Sequence, residues 1–162
     1  MDKIPVIIDC DTGIDDMISF VLTLASKQLD IRGVTTVAGN VSLPHTTYNT
    51  VNGLAFMGRS EVLVAAGEAA PLERPYRDAS EIHGDSGLGA FSFENPVDYG
   101  PVETGGVEFL YEKLMESEEK ITILALAPLT NIAKLFLKHP DCKEKIDKIV
   151  FMGGSIFSGN PT

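Results

Sequence analysis

Short apolar runs alternate along the chain with segments in which apolar residues recur every three to four positions. The runs are rich in Val, Ile and Thr, as expected of strands that are buried in a sheet. They predict strands at 4–8, 31–38, 62–65, 121–126 and 148–152. Helical periodicity predicts a helix at 14–26 and a further helix with Val107, Leu110, Tyr111 and Leu114 on one face. Helices are also predicted at 44–56 and at 128–137, which Pro128 opens.

This alternation of strand and helix predicts an α/β fold with a mostly parallel, Rossmann-like sheet flanked by helices. The 162 residues are enough for one ordinary core, so we expect a single α/β domain over 1–162. The periodicity lapses between 67 and 105, where prolines punctuate a long irregular stretch. Ligands of such sheets bind beyond the carboxyl ends of the strands, so the loops at that edge are the place to look for chemistry.

Composition and charge disfavour several classes of protein, namely nucleic-acid-binding, membrane, zinc-binding and disulfide-rich proteins. The net charge is −10, from 13 basic and 23 acidic residues, and this disfavours binding to nucleic acid. No apolar stretch approaches the roughly 18 residues that span a bilayer, and the N-terminus lacks a signal-peptide pattern, so we expect a cytoplasmic protein without a membrane partner. Cys10 and Cys142 have neither zinc-site spacing nor a disulfide framework, and we expect both to be reduced packing residues.

Four carboxylates follow the first predicted strand within eight residues: Asp9, Asp11, Asp15 and Asp16. Like charges this close raise one another's pKa unless a cation offsets them, and hard divalent metals take carboxylate oxygens as ligands. Helix capping would account for one or two of the four, and a solvated surface is the other ordinary explanation. Because an apolar strand directly precedes the cluster, the sequence favours a metal or acid–base site. In a first helical turn, only one of Asp15 and Asp16 would face the metal squarely.

Other candidate residues follow the remaining predicted strands. Gly39 and Asn40 come after the second strand, Leu126 ends a later one, and Met152 ends the last. Because the carboxyl ends of parallel strands share one edge of the sheet, we expect these residues to converge with the acidic cluster. Taken singly, Asn40 is more often a turn residue, Met152 is ordinarily core filling, and a lone loop histidine such as His83 is usually a surface or structural residue.

Five sequence blocks together resemble the inosine/uridine-preferring nucleoside hydrolase family. The acidic block at 9–16 is similar to the family's Asp-x-Asp-x-Gly-x-Asp-Asp signature, although many members have Pro where this chain has Thr12. The other blocks follow in the family's order, which makes the set far more specific than any one block. They are Val37-Ala38-Gly39-Asn40, Ile82-His83-Gly84-Asp85-Ser86-Gly87-Leu88-Gly89, Pro128-Leu129-Thr130-Asn131-Ile132-Ala133, and Met152-Gly153-Gly154 with Gly159-Asn160.

The resemblance implies a Ca²⁺-dependent enzyme that hydrolyses the N-glycosidic bond of a ribonucleoside to ribose and a free base. Asp11 would be both a calcium ligand and the general base, Asp16 a strong bidentate ligand, and the Leu126 carbonyl a further ligand. Asp9 would support these ligands from behind, and His83 would lie on the base side. The residues that hold the ribose would be Asp15, Asn40, Met152 and Asn160.

These residue types suit that chemistry. Glycosidic cleavage passes through an oxocarbenium-like sugar, which needs negative charge nearby and a water that loses its proton to a base. Ribose hydroxyls can complete the large and flexible oxygen shell of Ca²⁺, whereas Mg²⁺ demands a stricter octahedron.

Members of this family are considerably longer than 162 residues. The resemblance therefore implies a truncated nucleoside hydrolase fold, without a further Asp ligand, several ribose and base contacts and, in some groups, a His that assists the leaving base. We expect this chain alone to be a poor or inactive hydrolase. The family tends to form dimers or tetramers, so a homo-oligomer is also expected.

Two other classes of function stay open from the sequence. A haloacid-dehalogenase-like phosphatase also begins with Asp-x-Asp after a strand, although its motif has Thr or Val where this chain has Gly13, and its nucleophile would be Asp9. The other class is a noncatalytic remnant that binds ribosyl ligands or a partner. Phosphoenzyme formation with Mg²⁺ would identify the phosphatase, and nucleoside binding without turnover would identify the remnant.

Overall fold

Five parallel strands form one sheet in the computed structural model, which describes residues 3–159. The strands are β1 (Ile4–Cys10), β2 (Leu29–Thr36), β3 (Val64–Ala66), β4 (Ile121–Ala125) and β5 (Ile146–Phe151). Their order across the sheet is β3-β2-β1-β4-β5, which places β1 at the centre. Because β1 is paired on both sides and covered on both faces, its continuous apolar run is buried beyond Ile4. The predicted α/β class with a parallel sheet is confirmed.

Helices connect the strands across both faces of the sheet. They are α1 (Ile14–Ala25), α2 (Leu43–Phe56), α3 (Ser80–His83), α4 (Gly106–Glu116), α5 (Thr130–Lys138) and a 3₁₀ helix at Pro140–Lys145. The chain runs from β1 to β3 in one direction and then crosses back to β4 and β5. Right-handed crossovers therefore place α1 and α2 on one face, and α4 and α5 on the other. No helix in the described part of the chain is long and apolar enough to cross a membrane.

The core has two sides because successive residues of β1 point to opposite faces. On one side, Ile8 packs with Phe20 of α1 and Leu54 of α2. On the other side, Ile7 packs with Leu110 of α4. The sheet therefore lies between two helical layers, and helices of both layers pack against the strands that lead into the loops at its carboxyl edge.

The element bounds agree with the sequence predictions to within two residues at each end. Between 67 and 105, α3 is the one helix among the described residues, in keeping with the predicted irregular stretch. Cys10 and Cys142 are free and buried in the core clusters, as expected.

The apolar stripe of α1 does not lie where an amphipathic helix usually places it. Ile18 and Leu22 are 60% and 68% exposed, whereas Asp16 and Phe20 point inward. The periodicity therefore predicted the helix correctly but did not identify its buried face.

Candidate active site

The segment 9–16, hereafter the acidic loop, joins β1 to α1 and buries three of its four carboxylates. Asp9 is completely buried and Asp11 and Asp16 are 6% and 3% exposed, whereas Asp15 faces solvent. Asp15 and Asp16 both lie in the first turn of α1, and consecutive helical residues project in different directions. The Gly13 N–H donates to Asp16 Oδ2 at 2.9 Å, which satisfies one of the free donors at the start of the helix. Asp16 is thus the inward-facing member of the pair.

Asn40 joins the acidic loop to the loop that follows β2. Its backbone N–H donates to Asp11 Oδ2 at 2.7 Å, and its Nδ2 donates to the Asp11 carbonyl at 3.1 Å and to Asp16 Oδ2 at 3.4 Å. Gly39 permits this approach, because a Cβ at that position would overlap the Asp11 carboxylate. One side chain therefore brings Asp11 and Asp16 together, and Asn40 does more than shape a turn.

His83 lies against the acidic loop from the irregular stretch. A Cβ on Gly13 would approach His83 Nδ1 to 2.6 Å and Asn40 Nδ2 to 2.7 Å, so the three residues are in close contact. The N–H of Ala79 donates to the Asn40 carbonyl at 3.0 Å, which joins the residues before His83 to the loop after β2. Among the hydrogen bonds of residues 3–159, none reaches the buried His83 Nδ1. His83 therefore offers an unused polar atom beside the acidic loop.

Leu126 and Met152 lie at the same edge of the sheet. The Leu126 N–H donates to the Asp9 carbonyl at 2.8 Å, which places Leu126 beside the end of β1. The Met152 N–H donates to the Ala125 carbonyl at 2.9 Å, and the Met152 side chain is exposed. Asn160, the remaining candidate, lies outside the described residues.

Asp9 is held by a buried network behind the acidic loop. Its Oδ1 accepts hydrogen bonds from Thr35 Oγ1 at 2.6 Å and from Asn131 Nδ2 at 2.7 Å. Asn131 Nδ2 also donates to the Thr36 carbonyl at 3.0 Å, and Asn131 Oδ1 accepts the Glu68 N–H at 2.9 Å. One amide thus ties the ends of three strands to α5.

The sequence interpretation did not single out Asn131. The signal that could have found it is a lone carboxamide among apolar residues at the start of a helix, directly after Pro128-Leu129-Thr130. Such a buried polar side chain needs partners, and strand ends offer them.

Burial makes the acidic loop an unfavourable place for several negative charges. Burial, reinforced by the charge of Asp11, raises the pKa of Asp16 to about 8. Burial likewise raises the pKa of Asp9 and of Asp11 to about 6, against the hydrogen bonds that lower them. A cation beside these carboxylates would favour their charged forms.

The donor set fits part of a hard-metal site. The hydrogen bonds from Gly13 and Asn40 fall on Oδ2 of Asp16 and Asp11, so Oδ1 of each remains for another partner. Two carboxylates with outward oxygens match the ligand preference of Ca²⁺ or Mg²⁺. Within residues 3–159, however, no group of three or more His, Cys, Asp or Glu side chains is placed to hold a metal ion. The described residues therefore supply a partial set of ligands.

Comparison with known proteins agrees with the geometry, because the proteins similar to this chain include ribonucleoside hydrolases. The family described as inosine-uridine preferring nucleoside hydrolase matches residues 6–162. The pyrimidine-specific ribonucleoside hydrolase RihA of Escherichia coli O1:K1 is 40% identical over 159 residues, which make up 98% of this chain and 51% of that protein.

Solved structures of such hydrolases superpose closely on this chain. The purine-preferring ribonucleoside hydrolase from Gardnerella vaginalis has a TM-score of 0.88 at 28% identity, over 93% of this chain and 49% of that one. A plant nucleoside hydrolase has a TM-score of 0.87 at 37% identity, over 93% and 48%. The chain thus spans about half the length of the relatives it matches.

Proposed function

Because this chain belongs to the inosine-uridine preferring nucleoside hydrolase family, we propose that its acidic loop forms the core of a Ca²⁺-dependent site for hydrolysing the N-glycosidic bond of ribonucleosides. The observation that carries the proposal is the buried pair Asp11 and Asp16, bridged by Asn40 and each with Oδ1 available. The names of the relatives include pyrimidine-specific and purine-preferring enzymes, so the proposal extends to ribonucleosides as a class.

The residues proposed to hold the cation are Asp11, Asp16 and the carbonyl of Leu126. All three belong to the carboxyl edge of the sheet, and Leu126 is fastened to the end of β1. Oxygen ligands of this kind favour Ca²⁺ over softer metals, and a flexible shell favours it over Mg²⁺. When bound, the cation would offset the carboxylate charges and help to polarise the attacking water.

Asp11 is proposed as the general base. Its Oδ2 is fixed by the Asn40 N–H, so Oδ1 can receive the proton of a water. Burial raises the pKa of metal-free Asp11 to about 6, and the bound cation would lower it and keep Asp11 ionised as a base near neutral pH. As the water oxygen bonds to C1′ of the ribose, the C1′–N bond breaks and its electron pair leaves with the nucleobase. The proton of the water passes to Asp11. The departing nucleobase then takes a proton from solvent to reach its neutral form, and Asp11 returns its proton to solvent.

The other candidate residues are proposed to hold the substrate. Exposed Asp15 is free to accept hydrogen bonds from ribose hydroxyls, and Asn40 keeps its Oδ1 for the same purpose. Exposed Met152 would pack on the sugar, and half-buried His83, which contacts the acidic loop, would serve the nucleobase side. Asn160 stays a ribose-binding prediction from the family resemblance.

Asp9 is proposed to support the site without contacting substrate. It is fully buried, and its carboxylate holds Thr35 and Asn131. The same burial argues against the phosphatase alternative, because that reaction needs Asp9 as an accessible nucleophile. Nucleoside binding without turnover is the alternative that the experiment below distinguishes.

Residues 1–162 alone are proposed to be a weak catalyst. They offer Ca²⁺ the three protein ligands named above, whereas this cation takes about six to eight oxygens. Water would have to supply the rest. The expected dimer or tetramer and the cytoplasmic location stay predictions.

The test is ribose release from uridine and inosine, measured as reducing sugar with Ca²⁺ or with a chelator, and with the E. coli relative as positive control. We expect slow, Ca²⁺-dependent release that Asp11→Asn abolishes. Calorimetry with the same nucleosides detects binding without turnover. The proposal fails if wild-type protein neither binds nor hydrolyses a nucleoside in Ca²⁺, and the claim of weak catalysis fails if turnover equals that of the relative.

A further inference from the structure

Asn49 is a buried carboxamide in the middle of α2, and its side chain bonds to two different loops. Its Nδ2 donates to the Thr12 carbonyl at 3.1 Å and to the Ser86 carbonyl at 2.7 Å. Each of these bonds joins residues 37 positions apart in the sequence. Both hydrogens of the amide nitrogen are therefore used, one on each loop.

The first of these loops is the acidic loop. Thr12 directly follows Asp11, and its hydroxyl is also fixed to α2 through Thr50 Oγ1 at 2.6 Å. Asn49 therefore holds the backbone between the two proposed metal ligands Asp11 and Asp16.

The second loop is residues 83–89, hereafter the His83 turn. It is closed by the Gly89 N–H, which donates to the His83 carbonyl at 2.7 Å, and by the Gly87 N–H, which donates to the Gly84 carbonyl at 3.0 Å. Gly87 has φ +85°, and a Cβ there would come within 3.0 Å of Asn49 Nδ2 and 2.9 Å of Val41 Cγ2. The turn is thus pressed directly onto Asn49.

The chemistry of this junction requires a carboxamide. Two carbonyl oxygens from separate loops face the same point, and an unpaired buried carbonyl is costly. A hydroxyl could serve one of the two, a carboxylate would repel both, and an aliphatic side chain would leave both unpaired.

We propose that Asn49 is a positioning residue that fixes the acidic loop and the His83 turn relative to each other, and that nucleoside binding depends on this mutual position. The first part rests on the contacts alone, and the second part rests on the function proposed above. His83 and Asp11 belong to different loops, yet a single substrate would have to meet both. A small displacement between such groups is enough to weaken binding strongly.

The chain contains a matched control on the same helix. Asn52 is also a buried asparagine of α2, but its Nδ2 bonds to the Tyr48 carbonyl of its own helix and its Oδ1 accepts the Val97 N–H. The substitutions Asn49→Ser and Asn52→Ser therefore remove the same atoms from similar surroundings. Asn49→Ser loses the contacts with the acidic loop and the His83 turn, whereas Asn52→Ser loses the contact with Val97.

Hydrogen exchange of the unliganded protein tests the first part. We expect Asn49→Ser to speed amide exchange about tenfold in both 11–16 and 83–89, the effect of losing a bond of ordinary strength. Asn52→Ser should speed exchange near Val97 and leave both segments as in wild type. If Asn49→Ser does not fold, Gly87→Ala perturbs the same contact from the other loop and should speed exchange in 11–16. Equal effects of the two asparagine variants on both segments, or an effect on 83–89 alone, would overturn the proposal.

Nucleoside affinity tests the second part. In Asn49→Ser, the KM for uridine and inosine, or the calorimetric Kd where turnover is too slow, should rise about tenfold. The Ca²⁺ affinity should change by less than about threefold, because Asn40 still holds both carboxylates. An unchanged nucleoside affinity would overturn this part. If wild-type protein binds no nucleoside, the function proposed above fails, while the exchange data still decide whether Asn49 couples the loops.

Discussion

Asn40 N lies 2.7 Å from Asp11 Oδ2, so the loop after β2 fixes the carboxylate proposed as general base in one orientation. The same residue reaches Asp16 through its side chain. The relationship depends on a backbone without a Cβ at Gly39, directly before Asn40. Asn40 thereby holds close together two carboxylates that would otherwise repel each other.

Gly39→Ala should therefore lower stability and weaken Ca²⁺ binding, although Gly39 has no side chain to contact a ligand. The added methyl would displace the Asp11 carboxylate, and such overpacking costs about 1–3 kcal/mol of stability. We expect a lower Tm and at least about tenfold weaker Ca²⁺ binding. Gly100→Ala is the control, since nothing lies within 4 Å of a Cβ there. Calorimetric titration with Ca²⁺ measures both variants, and equal affinities would contradict the prediction.

Asp15→Asn and Asp16→Asn should separate the two carboxylates of the first turn of α1. Asp16 is buried beside Asp11, whereas Asp15 is exposed. We expect Asp16→Asn to weaken Ca²⁺ binding at least about tenfold and Asp15→Asn to weaken it less than about threefold. Both substitutions replace a carboxyl by an amide of the same shape at neighbouring positions, so the formal net charge of the sequence is the same in the two variants. The prediction is wrong if the two variants lose the same affinity.

The stability of the metal-free protein should fall as the pH rises. Burial raises the pKa of Asp9 and Asp11 to about 6 and that of Asp16 to about 8, from an ordinary value of 3.8. The folded state therefore favours the protonated carboxyls. Their contribution to stability is complete below about pH 4 and is lost as the pH passes through 6 and 8.

Urea unfolding in a chelator between pH 5 and 9 measures this effect. Asp16→Asn keeps an oxygen for the Gly13 N–H but cannot ionise, so its stability at pH 9 should exceed that of wild type by about 2 kcal/mol or more. Asp15→Asn removes a smaller repulsion from Asp11 and Asp16, so it should still lose stability over this pH range, as wild type does. A wild-type stability that rises steadily from pH 5 to 9 would contradict the assignment.

Asn131→Ala should destabilise the protein more than the loss of a few side-chain atoms implies. The substitution leaves the Glu68 N–H unpaired, and it removes one of two donors from the Thr36 carbonyl and from Asp9 Oδ1. A group left without a partner costs about 1–3 kcal/mol and each lost hydrogen bond about 0.5–1.5 kcal/mol, so we expect a total loss of about 2–4 kcal/mol. Exposed Asn95 provides the control, and Asn95→Ala should change the unfolding free energy by less than about 0.5 kcal/mol. A similar loss in both variants would contradict the role of Asn131.

The elements of the fold follow from local patterns in the sequence. The apolar run at β1 and the periodicity of Val107, Leu110 and Leu114 in α4 predict their elements because burial against a sheet selects those residues. The convergence of Asp11, Asn40 and Leu126 at one edge was predictable for the same reason, since it requires only that the strands be parallel.

The contacts that set the site were not predictable from local patterns. Asn49 and Asn131 act through partners far away in the sequence, and an isolated asparagine carries no period that reveals them. The exposed stripe on α1 shows a second limit, because Ile18 and Leu22 repeat as a core face would but point outward. Periodicity identifies a helix, whereas its buried face depends on the elements around it.

The central claim is that Asp11 and Asp16 are ligands of one Ca²⁺ in a site for ribonucleosides. The most direct measurement is a crystal structure of the protein soaked with Ca²⁺, with the ion identified by its anomalous scattering. We expect one ordered ion with an oxygen of Asp11 and an oxygen of Asp16 at about 2.4 Å. Density for water alone between these carboxylates, in a crystal that binds Ca²⁺ elsewhere, would contradict the claim.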